Sequence, residues 1–438
     1  MRKISFVLVV LMAFSLFACA GSNGDNSLPD ESLTPSDVQS SETSYDEGKI
    51  ADLIAKYSHL GSATEKCVVL ESKTVADGRA IISGYCEEGS DIYLAEGGNV
   101  TQVIKSHKGT YIIEINFAKG EKRKELEIYA KTEGKGVSEP VSATLRYSAS
   151  AEGEFQHYVR VGKEGWLFFT NTEPQYTNNE HLAENRKNRI TSRIRDRVST
   201  LAEIGTKIIY VFIPNPNEVY SEYMPDEVEK GSVILREEVA KALSDAGATV
   251  IDMGETLKGL KGGEFEVYHR TDSHWTEYAA YFAYKALCDK FVSDGFTGAA
   301  PRDISEFNFT NEFRAAGDLY FDLGLDEYEF KVYSTFSDIS FDAPVNLPKY
   351  AANDRSRIND DCMKEMTFHN ANGSNKPSFI MMRDSYSIML FDWLAERASD
   401  SYFKKLWDFD FDINEITTLG VDYIIYFVTD LNLNNVLK

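Results

Sequence analysis

The chain has 438 residues, 12% of them aromatic, and a formal charge of -23; this length leaves room for two domains with a substantial core. Such acidity argues against nucleic acid or an anionic lipid surface as a natural partner, because phosphate binding draws on Lys and Arg. Five cysteines make no stapled framework, and no Cys/His spacing of a structural zinc site is present.

Residues 1–19 read as a bacterial lipoprotein signal. Arg2 and Lys3 form a basic start, an apolar stretch runs from Ile4 to Phe17, and Leu16-Phe17-Ala18-Cys19 makes Cys19 the lipidation candidate. The stretch is shorter than the roughly 20 residues of a spanning helix. An uncleaved anchor or an ordinary secretory signal stays open, and each version puts the body outside the cytoplasm, with the lipid form anchored to a bacterial membrane. Residues 20–60 are assigned to a flexible tether: the tract to about Glu47 is rich in Ser, Asn, Asp, Gly and Thr and has too little apolar surface to offset its ordering entropy.

Residues 61–150 break into short β-rich runs such as Arg79-Ala80-Ile81-Ile82-Ser83-Gly84 and Thr110-Tyr111-Ile112-Ile113-Glu114-Ile115, separated by Gly, Asp, Asn and Lys turns. Evenly spaced strands of this kind predict a small all-β sandwich of immunoglobulin-like outline, acting as a spacer or binding glycans. Cys67 and Cys86 could pair across neighbouring strands there, whereas Cys288 and Cys362 look like isolated core thiols.

Residues 151–438 change rhythm. Lys207-Ile208-Ile209-Tyr210-Val211-Phe212-Ile213 is a continuous apolar run ending at Pro214, as a strand buried on both faces would be. Helical spacing precedes it over residues 180–203 and follows it over 232–246. A strand over 248–252, a helix over 276–292, a strand over 378–382, a helix through 390–397 and a strand over 422–427 complete the pattern. Alternation of strands with helices predicts an α/β fold with a mostly parallel sheet covered on both faces. Residues 299–374 give weak signals and read as irregular insertion.

Ligands of such sheets lie beyond the carboxyl ends of the strands, where Ser385 follows one strand and Asn215 another. A serine on a strand-to-helix turn is exposed, with backbone N–H groups at hand for an oxyanion, and needs a base to take its proton. His274 is the candidate base, with Asp272 two residues earlier placed to accept from Nδ1. Each piece has a plainer reading: Asp384 and Ser385, or Asp272, as helix caps, or Asp-x-His as two metal ligands that lack a recognisable third. Ser387 is a rival nucleophile and His269 a second candidate base. Asn215 is a candidate oxyanion or sugar-hydroxyl donor, or a turn former between two prolines.

Five ordered segments then point to a family. They are 162–169, Pro214-Asn215 with 219–225, Tyr268-His269-Arg270-Thr271-Asp272-Ser273-His274-Trp275, Gly317-Asp318-Leu319, and Arg383-Asp384-Ser385-Tyr386-Ser387. Together they resemble the SGNH-hydrolase-like domains of the alginate O-acetyltransferase group, the AlgX and AlgJ proteins and their DHHW relatives. The resemblance implies an SGNH-hydrolase-like sheet and a triad of Asp272, His274 and Ser385, with Asn215, Arg383, Trp275 and Tyr386 as candidate oxyanion and substrate contacts. No metal and no bound cofactor are expected; the acetyl group would come from a small ester or a membrane-bound delivering protein, and the resemblance implies an exported or cell-envelope polysaccharide as acceptor. Pro216 departs from the pattern where a lysine usually follows Pro-Asn, and Arg383-Asp384 replaces a small-residue pair. An acetylesterase of the same fold, or a non-catalytic glycan-binding lipoprotein of an export complex, are the competing readings.

Overall fold

The computed structural model describes residues 48–76, 78–147, 158–326, 328–339, 345–346, 365–407 and 411–437. The expectations for the signal, Cys19, tether residues 20–47 and Cys362 lie outside the described residues. The described chain opens inside the span assigned to the tether, with helix α1 (Ile50–Tyr57). Ile50 and Leu53, one turn apart, pack with Ala95 and Tyr129, so residues from 48 onward are not tether. That apolar pair supplies the burial the preceding polar tract lacks.

Seven strands follow: β1 (Val68–Ala76), β2 (Arg79–Tyr85), β3 (Asp91–Glu96), β4 (Asn99–Lys105), β5 (Thr110–Asn116), β6 (Arg123–Lys131) and β7 (Val141–Arg146). They make two antiparallel sheets, β1-β2-β5 and β4-β3-β6-β7. Ala80, Ile82, Tyr111 and Ile113 of the first share a core with Ile92, Leu94, Ile128 and Leu145 of the second. This is a two-sheet antiparallel sandwich whose fourth strand pairs with the third. Cys67 and Cys86 are free thiols.

The sandwich packs against the α/β part. Along β2 and β5 the residues between the core positions, Ile81 and Ile112, join Val75, Leu167, Leu319, Tyr320 and Phe330 in a second apolar cluster that belongs partly to the rest of the chain. Ser83 Oγ lies 2.7 Å from Tyr320 Oη, and Lys331 N donates to Tyr85 Oη at 2.7 Å. A free sandwich would present polar residues on that face; here it is covered.

The α/β part contains β8 (Val159–Val161), β9 (Leu167–Phe169), β10 (Lys207–Ile213), β11 (Thr249–Asp252), β12 (Asn308–Ala315), β13 (Lys331–Asp338), β14 (Val345–Asn346), β15 (Met366–Asn370), β16 (Phe379–Arg383), β17 (Asp400–Lys405) and β18 (Tyr423–Thr429). Its longer helices are α2 (Glu184–Glu203), α3 (Leu235–Asp245) and α4 (Glu277–Ser293). Three short ones matter below: α5 (Asp318–Asp322), α6 (Phe391–Arg397) and α7 (Ile413–Leu419). The main sheet has the order β11-β10-β18-β16-β17-β15-β14. The first five are mutually parallel, β15 runs antiparallel to them, and β14 runs antiparallel to β15.

Side-chain alternation sorts the sheet's two faces. Ile209, Val211 and Ile213 of β10, with Met381 of β16 and Ile425 of β18, pack under α4 and α6. Ile208, Tyr210 and Phe212, with Ile380 and Ile424, pack under α2, α3 and α7. The expected mostly parallel sheet with helices on both faces is present. The stretch read as irregular insertion instead holds an antiparallel hairpin, β12 with β13, and strand β15. Among the described residues no helix is long and apolar enough to cross a membrane.

Candidate active site

Strand β16 is buried along its whole length, and its carboxyl end delivers Asp384 and Ser385 to the edge of the sheet. A short 3-10 turn, Ser385–Leu390, starts there. Asp384, not Ser385, serves as the cap: its Oδ1 accepts from Tyr386 N at 3.1 Å, and its Oδ2 accepts from Thr429 N at 2.8 Å, Thr429 Oγ1 at 3.0 Å and Asn432 Nδ2 at 3.0 Å. The Ser385 hydroxyl is thereby left for another partner. Ser387 is fully buried and donates to Asp384 O at 3.1 Å, which places it inside the turn.

The imidazole comes from a loop pinched at its base, where His269 N donates to His274 O at 3.2 Å and Tyr268 bridges Trp275. Helix α4 is capped by Thr276, whose side chain accepts from Ala279 N. Asp272 is thus not the cap either, and its Oδ1 accepts from His274 N at 2.9 Å and meets His274 Nδ1 at 2.8 Å. With Nδ1–H directed at Asp272, the Nε2 lone pair faces the Ser385 hydroxyl, 2.8 Å away. Three residues from two segments therefore form one hydrogen-bonded chain, Ser385 to His274 to Asp272.

Charge around the imidazole is one-sided. Burial disfavours its cationic form, but the hydrogen bond and attraction from Asp272, with Asp318 and Asp384 farther off, outweigh that and hold His274 up at about 9. Burial raises the Asp272 carboxyl, yet the hydrogen bonds and charge of His274 dominate and leave it well below its usual range. Asp318 has no role in the sequence reading. Its Oδ1 accepts from Ser273 N at 2.7 Å and its Oδ2 from Ser273 Oγ at 2.6 Å, with Oδ2 also 3.8 Å from His274 Nδ1. Burial and the facing Asp272 charge push Asp318 up to about 7. The signal for it was the glycine before it: a Cβ at Gly317 would stand 2.3 Å from that of Asp272, so only glycine lets the two backbones approach this closely.

Asp272, His274 and Asp318 also offer ligand atoms within 4.8 Å of one another. A third ligand to Asp-x-His is thus spatially present in Asp318, but Nδ1 is engaged by Asp272 and both oxygens of Asp318 by Ser273.

The remaining candidates separate. Tyr386 lies against His274, ring centroids 5.1 Å apart, and its hydroxyl donates to Ser273 O, tying the serine turn to the histidine loop. Trp275 is fully buried and donates from Nε1 to Tyr386 O at 3.0 Å. Arg383 is 1% exposed with its guanidinium over the Phe391 ring. The expected substrate contacts from Trp275 and Arg383 are therefore corrected: strand alternation and core packing turn both inward. Asn215, 3% exposed, lines a small pocket with Tyr176, Lys230, Arg236 and Asp430, and neither Ser385 nor His274 belongs to that lining. His269 is half-buried beside Phe336, rings 5.5 Å apart, and desolvation lowers its pKa; its backbone shapes the loop.

Residues 159–340 match the family described as "SGNH hydrolase-like domain, acetyltransferase AlgX". That span holds Asp272 and His274 and ends before Ser385. Among solved structures, Bacillus cereus PatB1 is similar at 13% identity, covering 61% of this chain and 94% of that one with a TM-score of 0.45. A DHHW family protein from Eubacterium siraeum is 14% identical, with 70% and 91% covered and a TM-score of 0.41. The O-acetyltransferase domain of Pseudomonas putida AlgJ is 13% identical, with 63% and 91% covered and a TM-score of 0.39. No curated protein sequence matches the chain.

Proposed function

We propose, from the premise that residues 159–340 carry an SGNH hydrolase-like domain of the AlgX acetyltransferase type, that this protein moves acetyl groups onto hydroxyls of an exported or cell-envelope polysaccharide. The observation that carries the reading is the continuous hydrogen-bonded chain Ser385–His274–Asp272 at the carboxyl edge of a parallel sheet. Ser385 Oγ attacks the carbonyl carbon of an acetyl ester as His274 Nε2 takes the hydroxyl proton. Asp272 holds the ring's orientation and stabilises the imidazolium.

Collapse of the tetrahedral intermediate breaks the ester C–O bond, and His274 returns the proton to the departing alcohol. Ser385 now carries the acetyl group. A sugar hydroxyl then attacks this ester, gives its proton to His274, and leaves as the O-acetylated product while Ser385 recovers the proton. The N–H of Ser385 heads its turn, where no intrahelical acceptor exists, and is our candidate oxyanion donor.

The acetyl donor is a small ester or the product of a membrane-bound partner. A site outside the cytoplasm, reached through a lipid on Cys19, belongs to the same proposal and is supported by the signal-like residues 1–19. Incubation of the purified protein with an acetyl ester and a panel of oligosaccharides tests the chemistry. Mass spectrometry should find acetylated oligosaccharide that disappears with Ser385→Ala. Free acetate alone, whatever acceptor is offered, would make the protein an esterase.

A further inference from the structure

The residue before the Thr271-Asp272-Ser273-His274 turn is Arg270, 1% exposed, and its side chain runs away from Ser385 into the sandwich. Nη1 donates to Thr110 Oγ1 at 2.9 Å and toward His107 O at 3.4 Å, both on the β4–β5 side of the sandwich. Nη2 donates to Glu164 O at 2.7 Å. Gly165 makes the space: its φ is +71°, and a Cβ there would lie 2.4 Å from Nη2. His107 is itself held by Glu266, Nε2 to Oε1 at 2.8 Å.

A second line of contact reaches the other flank of the same turn. Ser83 on β2 meets Tyr320 on α5, and Ile81 and Ile112 pack with Leu319 and Tyr320. The backbone of α5 then grips the turn: Leu319 N and Tyr320 N donate to Thr271 O at 3.1 and 3.2 Å, and Gly317 N donates to Thr271 Oγ1 at 3.0 Å. Asp318, from the same helix, holds Ser273. Both flanks of the Asp-Ser-His turn thus rest on one face of one sheet, β1-β2-β5.

We infer that the N-terminal sandwich is part of the site's positioning machinery, with Arg270 as the positioning residue through which Thr110 sets the Asp272–His274 turn against Ser385. The module is neither a tether extension nor a detachable binding unit, because its outer face supplies the floor of the loop that carries the base. Displacing that loop by a fraction of an ångström stretches the Ser385–His274 bond, and misplacement of this order costs rate rather than binding. This inference rests on the catalytic reading of Ser385 and His274.

The test follows the rate at which a serine-directed fluorophosphonate labels Ser385 in the full chain, together with the melting temperature. Thr110→Val keeps shape and removes the oxygen that accepts from Arg270; we expect labelling to slow about 10- to 100-fold. Thr110→Ser, which retains the hydroxyl, should label within about twofold of wild type. Leu145→Ala, in the sandwich core away from this face, should lower the melting temperature and leave the labelling rate of the folded protein unchanged, which separates positioning from mere stability. If Thr110→Val fails to fold, Arg270→Lys takes its place, since it keeps the charge and loses one arm of the fork. Wild-type protein that takes no label would sink the catalytic reading itself. Label on wild type, with Thr110→Val or Arg270→Lys reacting equally fast, would overturn this inference alone.

Discussion

Two charge-rich clusters stand along the carboxyl edge of the main sheet, and they differ in what sits at their centres. At the ends of β10, β11 and β18, Arg236 is ringed by Glu218 at 2.6 Å, Asp430 at 2.6 Å and Asp252 at 2.8 Å, with Lys258 closing on Glu218 at 2.9 Å. At the end of β16, Asp272 and Asp318 flank His274, which faces Ser385. The Arg236 cluster is buried and the His274 cluster half-buried, and both perturb their members: burial raises Asp430 to about 8 despite Arg236, and Asp318 rises in a similar way. A guanidinium, however, never releases its proton near neutral pH, whereas an imidazole does. Burial and charge alone do not mark a site; a titrating centre beside a hydroxyl does.

The largest effect expected from this contrast is at the β16 end. Ser385→Ala or His274→Ala should lower acetyl-ester turnover by about 10,000-fold or more and leave the melting temperature within a few degrees of wild type. The Arg236 cluster should behave in the opposite way. Arg236→Met leaves Asp252 and Asp430 without their cation and Glu218 with Lys258 alone, and should cost about 3–5 kcal/mol in urea unfolding, while the molecules that remain folded keep their turnover.

The two centres also differ with pH. His274 works as a base only when neutral, and its neighbours hold it protonated up to about 9. Turnover should therefore climb as pH rises through that value and flatten above it, measured on an ester stable in alkali. The smallest effect is the most specific: Asp318→Asn removes one of the two carboxylates near Nδ1 and should move this limb to lower pH with the plateau rate kept. A limb that stays in place would take Asp318 out of the electrostatics of the site.

The β16 cluster was legible before any coordinates because Asp272, His274 and Ser385 sit in short ordered segments. What those segments left open was which residues cap. Asp384 and Thr276 take that work, and local sequence cannot choose between neighbouring cap formers whose partners, such as Thr429 and Asn432, lie some 45 residues away. Trp275 and Arg383 neighbour the site residues in the chain, yet packing turns both side chains inward. Strand β17, Asp400-Ser401-Tyr402-Phe403-Lys404-Lys405, carries no strand signal in the sequence because its polar alternation hides a strand paired on both sides. By contrast, the docking face of the sandwich was written in the chain. Ala80-Ile81-Ile82 and Tyr111-Ile112-Ile113 do not alternate, as fits strands covered on both faces.

The central claim is that Ser385 is a nucleophile activated by His274. Treating the full chain with a fluorophosphonate and mapping the adduct by peptide mass spectrometry tests it without knowledge of the polysaccharide. The account predicts a single adduct on Ser385, formed faster as pH rises toward 9 and almost absent in His274→Ala. An adduct on Ser387, or labelling of Ser385 indifferent to the loss of His274, would contradict it.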